Sequence, residues 1–562
     1  MEAFQHGGAF PPGLVEPTTA RMTTPPPLLP GFDQPPPESP PPPPIRLRWL
    51  GGLRLAWLLA ALPSLVMLAA VIAPPFNHDV AGVLEFSERW LDGERLYRDL
   101  IDVNPPLIFI LTLLPAAIAK WTPLDGPQAL LSCALLLCAA CWWLCHRLRA
   151  DRPEGPVEAA VLTALLPLVM LVPGFDFAQR EALMTVAALP YLFLAARRAE
   201  GRPTRRALML AASLVAAVGF ALKPHFLAIP FLVELTVAVL RWRREGPAAA
   251  GRVLRDPVPW LLAATWVVYL AGVALFLPDY LGHVVPLAWD YYLENGSADP
   301  LMVMVNQTMG PLVVLLLALV PLALRRGAGT LALMLAAAGL GGMISAWVQH
   351  KGWSYHGVPM LVLGPLLAGL LAARFGDRLL GHAQARAAGP VIAAALAAAI
   401  AVFATRGTAT PWIELEYPDN RVGHLATWLQ QHAEGQRVLP LTPDVHPVYP
   451  ALNYAHARSI LPTMNAWLLI GNYLTCPANG ATYRDPAAMS EAERFIYTRV
   501  PEDFARLRPK VVMVTPYTGT AWCGAPFDFI EYFRRNPLFA ESWKQYRPAG
   551  ELDGYRLFVR EE

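Results

Sequence analysis

Along the chain, long apolar runs are separated by short polar clusters, and the clusters are of two kinds. Twelve apolar segments lie near 49–73, 105–121, 127–146, 157–173, 182–197, 206–222, 225–241, 259–277, 309–325, 330–348, 357–374 and 389–405. A membrane helix needs about 20 mostly apolar residues, with about 17 as a lower limit, so each is a candidate span. One kind of connection is rich in Lys and Arg: RLRADR from 147, RRAEGRPTRR from 197, RWRRE from 241, RRG from 325 and ARFGDR from 373, with Arg46, Arg48 and Arg54 around the start of the first segment. An excess of Lys and Arg marks cytoplasmic loops, which predicts a cytoplasmic N-terminus. The other kind mixes acids, His, Lys and aromatic residues: NHD at 77–79, DVN at 102–104, DFAQRE at 176–181, KPH at 223–225, DYYLEN at 290–295 and HKGWSYH at 350–356. All of these thread onto the opposite side. Charge near bilayer depth is costly, so a chain that gathers it at one interface is expected to use it.

The two patterns conflict once. If 105–121 and 127–146 both crossed, RLRADR would fall outside, so PPLIFILTLLPAAIAKW is predicted to be re-entrant or interfacial. About eleven crossings then remain, and odd parity places the C-terminus outside. After Thr405 the apolar runs become short: HLATWLQQHAEG reads as an amphipathic helix, and RVLPLTP, KVVMVTPY and YRLFVRE read as strands. The predicted fold class is a polytopic α-helical membrane domain, 46–405, with a first outer loop at 74–104, followed by an extracytoplasmic α/β domain at 406–562.

Composition agrees. The 562 residues are 55% hydrophobic and 16% charged, with mean hydropathy +0.37, whereas soluble chains carry about 25% charge. The net charge of +2, with basic residues at helix ends, makes no case for nucleic acid. Residues 1–45 contain TPPPLLP, QPPPESP and PPPPPI; such runs neither form helix nor bury a core, and read as a solvated cytoplasmic tail, with a PxxP-binding partner as the alternative. A signal-peptide pattern is missing at the start, so the first helix is expected to stay as an anchor. Cys133, Cys138, Cys141 and Cys145 share one apolar segment and read as small hydrophobes rather than a metal set. Cys476 and Cys523 stand alone in the outer region, leaving a disulfide open.

The first outer loop, PPFNHDVAGVLEFSERWLDGERLYRDLIDVNPPLIF, has an acid just after the first span, a helix, the WLDGERLYRD turn and then PPL. This arrangement resembles the GT-C superfamily of membrane glycosyltransferases, among them the protein O-mannosyltransferases, the lipid A aminoarabinose transferases and the bacterial family-39-like enzymes. The resemblance covers roughly the first 350 residues and is strongest at 76–107. It implies a catalytic carboxylate at Asp79, and, in DFAQRE, an acid and an arginine at Asp176 and Arg180 with Glu181 beside them. Some relatives carry an acid and a lysine directly before the PP pair. Here Val103 and Asn104 stand there, with Asp102 one step earlier, so that phosphate-contacting lysine is not carried over.

Elementary chemistry assigns matching roles. A polyprenyl-phosphate sugar leaves behind a phosphate anion, which needs fixed positive charge more than a proton. An inverting displacement needs one carboxylate base for the acceptor hydroxyl and no carboxylate nucleophile. Asp79 is the expected base, with Asp102 and Asp176 the other catalytic candidates; its ordinary reading is an N-cap of the helix that follows. Glu85, Glu88 and Asp92 read as that helix's solvated face. Arg180, Lys223 and Lys351 are candidates for the donor phosphate, or cations that snorkel. Candidate substrate contacts are His78, Glu181, His225, Tyr291, Tyr292, His350, Tyr355 and His356, the tyrosines reading equally as an aromatic belt. No cofactor is implied with certainty. A divalent metal stays open near His78, Asp79, Asp102 and Asp176, although no spacing specifies one. The expectation is therefore a sugar transferase of the bacterial inner membrane, an endoplasmic reticulum membrane being the topological equivalent. It would take a polyprenyl-phosphate donor and an envelope acceptor (lipid, polysaccharide or protein); the rival is a transporter or flippase of a lipid-linked sugar. Transporters favour paired repeats with polar groups at the midplane, and neither is clear here.

Overall fold

All twelve apolar segments are helices in the computed structural model, which describes residues 49–293, 299–406 and 408–561. The predicted proline-rich tail and Glu294 and Asn295 of the DYYLEN cluster lie outside the described residues. In chain order the longer helices up to Thr405 are α1 (Trp49–Ile72), α2 (His78–Leu91), α3 (Pro106–Trp121), α4 (Gly126–Arg149), α5 (Pro156–Leu171), α6 (Arg180–Ala199), α7 (Arg206–Phe220), α8 (Ala228–Glu245), α9 (Pro257–Phe276), α10 (Gly310–Ala323), α11 (Thr330–Gln349), α12 (Val358–Leu379) and α13 (His382–Thr405); among these α2 alone is amphipathic rather than apolar throughout. Eight stretches are long and apolar enough to cross a membrane, and α3, α5, α7 and α10 are shorter apolar helices.

The basic connections gather on one face. Arg149 meets Glu154 at 2.7 Å, Arg152 and Arg374 meet Glu158 at 2.9 and 3.0 Å, and Asp377 accepts the Val157 and Glu158 amides, capping α5. Beside them Arg198 bridges Glu234 and Asp256, and Arg241 also reaches Asp256. The described residues of the polar clusters named above lie at the other end of the helices, here termed the polar face.

The α3 conflict is resolved by its ends. Its N-terminus follows Asn104, whose carbonyl accepts from the Tyr97 hydroxyl at 2.6 Å, and at its far end Lys120 pairs with Asp92 at 2.8 Å, Asp92 also pairing with Arg458. Both ends of α3 therefore sit on the polar face. With both ends on one face, α3 does not run the length of the bundle, as a re-entrant or interfacial segment would not, and eleven apolar helices remain beside it.

The C-terminal part carries a five-stranded sheet: β1 (Arg437–Leu441), β2 (Arg458–Ser459), β3 (Val511–Val514), β4 (Tyr546–Leu552) and β5 (Tyr555–Arg560), in the order β2-β1-β3-β5-β4. β2, β1 and β3 run parallel, whereas β5 and β4 form an antiparallel hairpin on β3. The predicted amphipathic helix is Arg421–Ala433, and Cys476 and Cys523 form a disulfide. Residues 50–562 form one compact unit.

One expectation about α2 fails. Glu85 is 1% exposed, because the C-terminal segment packs on that side: Glu85 accepts the Ser459 amide at 3.0 Å and lies 3.7 Å from Arg89, which donates to the Leu461 carbonyl. Gly82 lets Met464 come close enough that a Cβ would lie 2.7 Å from its sulfur. Glu85 thus binds the first outer loop to the C-terminal sheet region instead of facing solvent, whereas Asp92, just past the end of α2, is exposed as expected and pairs there with Lys120 and Arg458.

Candidate active site

Three loops converge at the start of α2. Asn77 caps the helix by accepting the Asp79 amide at 2.9 Å, so the capping role considered for Asp79 belongs to its neighbour. The Gln179 amide, just before α6, donates to both Asn77 Oδ1 (2.9 Å) and Asp79 Oδ2 (3.0 Å), while Asn77 Nδ2 donates to Asp176 at 3.1 Å. These two amides lock the NHD and DFAQRE clusters together. Asp79 sits in the first turn of α2, where the helix dipole favours an anion. Burial pushes its carboxyl up, but His78, Arg180 and the Gln179 hydrogen bond together hold it below the usual carboxylate range.

The other two acids behave oppositely. Asp102, 6% exposed, accepts the Asn104 amide at 2.8 Å, and burial pushes it up to about 6. Asp176 is pushed up to about 7, chiefly by burial, with Glu181 and Asp79 adding repulsion against a Ser354 hydrogen bond. One carboxylate stays ionised while two titrate near neutrality, and acid-base sites are built on such separations.

Arg180 opens α6, the most deeply buried of the crossing helices, and is itself 5% exposed. Among the described residues it makes no hydrogen bond or salt bridge, and its Nη1 is buried without a partner. Lys223 is different: it pairs with Glu181 at 2.6 Å and bonds Gln349 at 3.0 Å. Lys351 donates to the Tyr292 carbonyl at 3.0 Å and lies 3.9 Å from that ring's centroid. Burial, then repulsion from nearby cations, lowers both lysines to about 8.

A cavity of about 690 Å³ opens over this floor. Of the residues singled out in the sequence, His78, Asp79, Asp102, Asp176, Arg180, Tyr292 and Tyr355 line it. Glu181, Lys223, Lys351, His225 and His356 stand behind its wall, where Glu181 Oε2, His225 Nε2 and His356 Nδ1 are buried without hydrogen bonds. Tyr291 and His350 do not reach it; His350 turns back to the Val348 carbonyl at 3.0 Å. Val103, Asn104, Phe175, Trp353 and Ser354 of the outer loops complete the floor, and the C-terminal segment adds a set the sequence did not single out, among them Arg421, Asp444, His446, Asn465, Trp467 and Tyr517. A second cleft, of about 280 Å³, runs between α2, α3, α4 and α6, is walled by residues such as Val83, Leu111, Leu130 and Leu183, and shares Asp79 and Arg180 with the polar cavity. No group of three or more His, Cys, Asp or Glu among the described residues is arranged to hold a metal ion.

No family model matches the sequence, and no curated protein matches it. Among solved structures, the crystal structure of ArnT from Cupriavidus metallidurans bound to undecaprenyl phosphate matches with a TM-score of 0.51 at 13% identity, over 91% of this chain and 97% of that one. The chain has a GT-C-type fold. The oligosaccharyltransferase of Archaeoglobus fulgidus, crystallised with Zn and sulfate, matches at 15% identity over 87% of this chain and 71% of that one, with a TM-score of 0.38, too low to argue from. The GT-C-type fold accounts for the architecture: many crossings, short helices between the first two of them on the polar face, and a sheet region beyond the last.

Proposed function

We propose that the chain is a membrane glycosyltransferase that moves a sugar, with inversion, from a polyprenyl-phosphate carrier to an acceptor on the extracytoplasmic side. The observation that carries this reading is the meeting of an apolar cleft and a polar cavity at Asp79 and Arg180. A prenyl chain suits the cleft at lipid depth, its phosphate then falls beside Arg180, and the sugar enters the polar cavity. That the neighbour of like fold holds undecaprenyl phosphate supports the same donor class.

The steps follow from the groups present. The acceptor hydroxyl attacks the anomeric carbon, its proton passes to the Asp79 carboxylate, and the bond from that carbon to the phosphate oxygen breaks. Arg180, buried and unpaired, stabilises the departing phosphate without first breaking an ion pair. Lys223, tied to Glu181, and Lys351, over Tyr292, add positive potential from behind the wall. Asp102 and Asp176 serve as hydrogen-bonding partners of the sugar or as alternative bases. The basic face is assigned to the cytoplasm, and the sheet region, residues 406–562, to the periplasm of a bacterial inner membrane. The transporter reading is less favoured, because Asp79, Asp102, Asp176 and Arg180 line one cavity at one end of the helices rather than a site midway along them.

The reading is tested by offering membranes with the wild-type chain or Asp79→Asn, at matched expression, a panel of radiolabelled polyprenyl-phosphate sugars. Transfer by the wild type that falls by about 10²- to 10⁴-fold in the variant is the expected result. Transfer from none of the donors would count against the enzyme and for the transporter.

A further inference from the structure

The roof of the polar cavity has a common origin in the sheet. Asp444 and His446 follow the end of β1, Asn465 and Trp467 follow β2, and Tyr517 follows β3. All three strands are parallel, so their carboxyl ends point the same way, into the cavity. The order β2-β1-β3 also means that the chain leaves β1 to one side and returns on the other. In open α/β sheets the crevice outside the strand carboxyl ends, at such a switch point, is where ligands bind. The loops are tied to one another: the Ala466 amide donates to the Thr442 carbonyl at 2.9 Å, and Asn465 donates to the Pro443 carbonyl. Trp467 is braced edge-on against Tyr292 of the floor, ring centroids 5.8 Å apart, and His446 meets His78 in the same manner at 5.6 Å.

We propose that this crevice is the acceptor subsite and that the acceptor it takes is an oligosaccharide; the assignment rests on the glycosyltransferase reading above. A carboxylate, an amide, a guanidinium and an imidazole line the crevice with Trp467, 4% exposed, and the open ring of Tyr517. That mixture of donors, acceptors and flat apolar surface suits a ring carrying many hydroxyls, whereas a lipid acceptor calls for a continuous apolar wall such as the donor cleft has. The aromatic surface also continues outward. Tyr517 is 68% exposed at the rim, and Trp522, five residues on, is 71% exposed on a segment closed by the Cys476–Cys523 disulfide. The Tyr517 backbone is held by the Thr515 hydroxyl, which donates to its carbonyl at 2.7 Å. Exposed rings on a fixed segment lose little freedom on binding, and they extend the subsite past the first sugar residue.

The test is direct binding to the full chain in detergent, read by calorimetry without any donor. The probes are the oligosaccharide released by mild acid from envelope glycolipid, the intact glycolipid, and a Ser/Thr-rich peptide. Saturable binding of the free oligosaccharide, weakened about tenfold in Tyr517→Ala and in Asp444→Asn, is the expected result. Preference for peptide, binding of the intact glycolipid alone, or equal affinity in wild type and both variants would overturn the assignment. In transfer assays, Tyr517→Ala and Trp522→Ala raise the acceptor KM with kcat changed less than about twofold. Oligosaccharide binding in a chain that cleaves no donor would refute the glycosyltransferase reading while upholding the saccharide site, so the two failures are told apart.

Discussion

The two ends of the helical bundle both bury charge, and they treat it in opposite ways. On the basic face Arg149, Arg152, Arg198, Arg241 and Arg374 each meet a carboxylate within about 3 Å, and the acids Glu154, Glu158 and Asp256 are shared among them. On the polar face Arg180 has no partner at bonding distance and Asp102 is held only by an amide of its own loop; single unbonded polar atoms occur at both ends, on His225 and His356 here and on Arg152 and Arg202 at the basic face. Paired charge far from water is structural, because losing one partner strands the other. Unpaired charge is a standing cost, retained where a ligand arrives to complete it. The difference marks one face as a clamp and the other as a site.

The strongest way to break that contrast is Arg180→Ala. Transfer should fall by about 10²- to 10³-fold, as when one electrostatic stabiliser of a transition state is removed, while the thermal unfolding temperature in detergent holds or rises. A large loss of stability with the transfer rate per folded molecule intact would reverse the assignment. Glu158→Gln is the converse experiment: it should cost about 3 kcal/mol of stability by leaving Arg374 without a carboxylate and Arg152 with Glu154 alone, measured by unfolding, with the transfer rate per folded molecule unchanged. A subtler difference concerns pH. Burial raises Asp176 from 3.8 to about 7, so the folded state holds that proton more tightly than the unfolded chain does. Its stabilising contribution is complete below about pH 4 and is lost as pH rises through 7. Asp176→Asn, which mimics the neutral acid, should therefore unfold at a higher temperature than wild type above pH 7 and converge with it toward pH 4. The smallest effect is expected at Lys120→Cys on α3, which removes a half-exposed pair with Asp92 worth under about 1 kcal/mol. The new thiol should react with an impermeant reagent from the side bearing the sheet; labelling from the basic side would make α3 a crossing.

Much of this was visible in the residues themselves. Charged side chains between apolar runs stand out against their surroundings, which is why Asp79, Asp102, Asp176 and Arg180 could be named as candidates before any contact was known. Asp444, His446, Asn465 and Tyr517 lie in a polar, loop-rich stretch where nothing sets them apart, and only the parallel pairing of β1, β2 and β3 brings them over the floor. Strand position relative to the sheet's carboxyl edge was the one signal available for them. Partnering was likewise hidden: the sequence puts Lys223 and Arg180 on equal terms, and only the fold shows Glu181 against one of them.

By itself the sequence determined which segments are apolar helices and at which end of them the polar clusters collect, because apolar length and Lys/Arg bias are local properties that the bilayer reads segment by segment. The tertiary structure alone decided that Glu85 is buried beneath the sheet region, which cations are spent on ion pairs, and that the C-terminal loops close the cavity. Those outcomes depend on which surfaces meet, and partners hundreds of residues apart, such as Glu85 and Ser459, leave no trace in local composition.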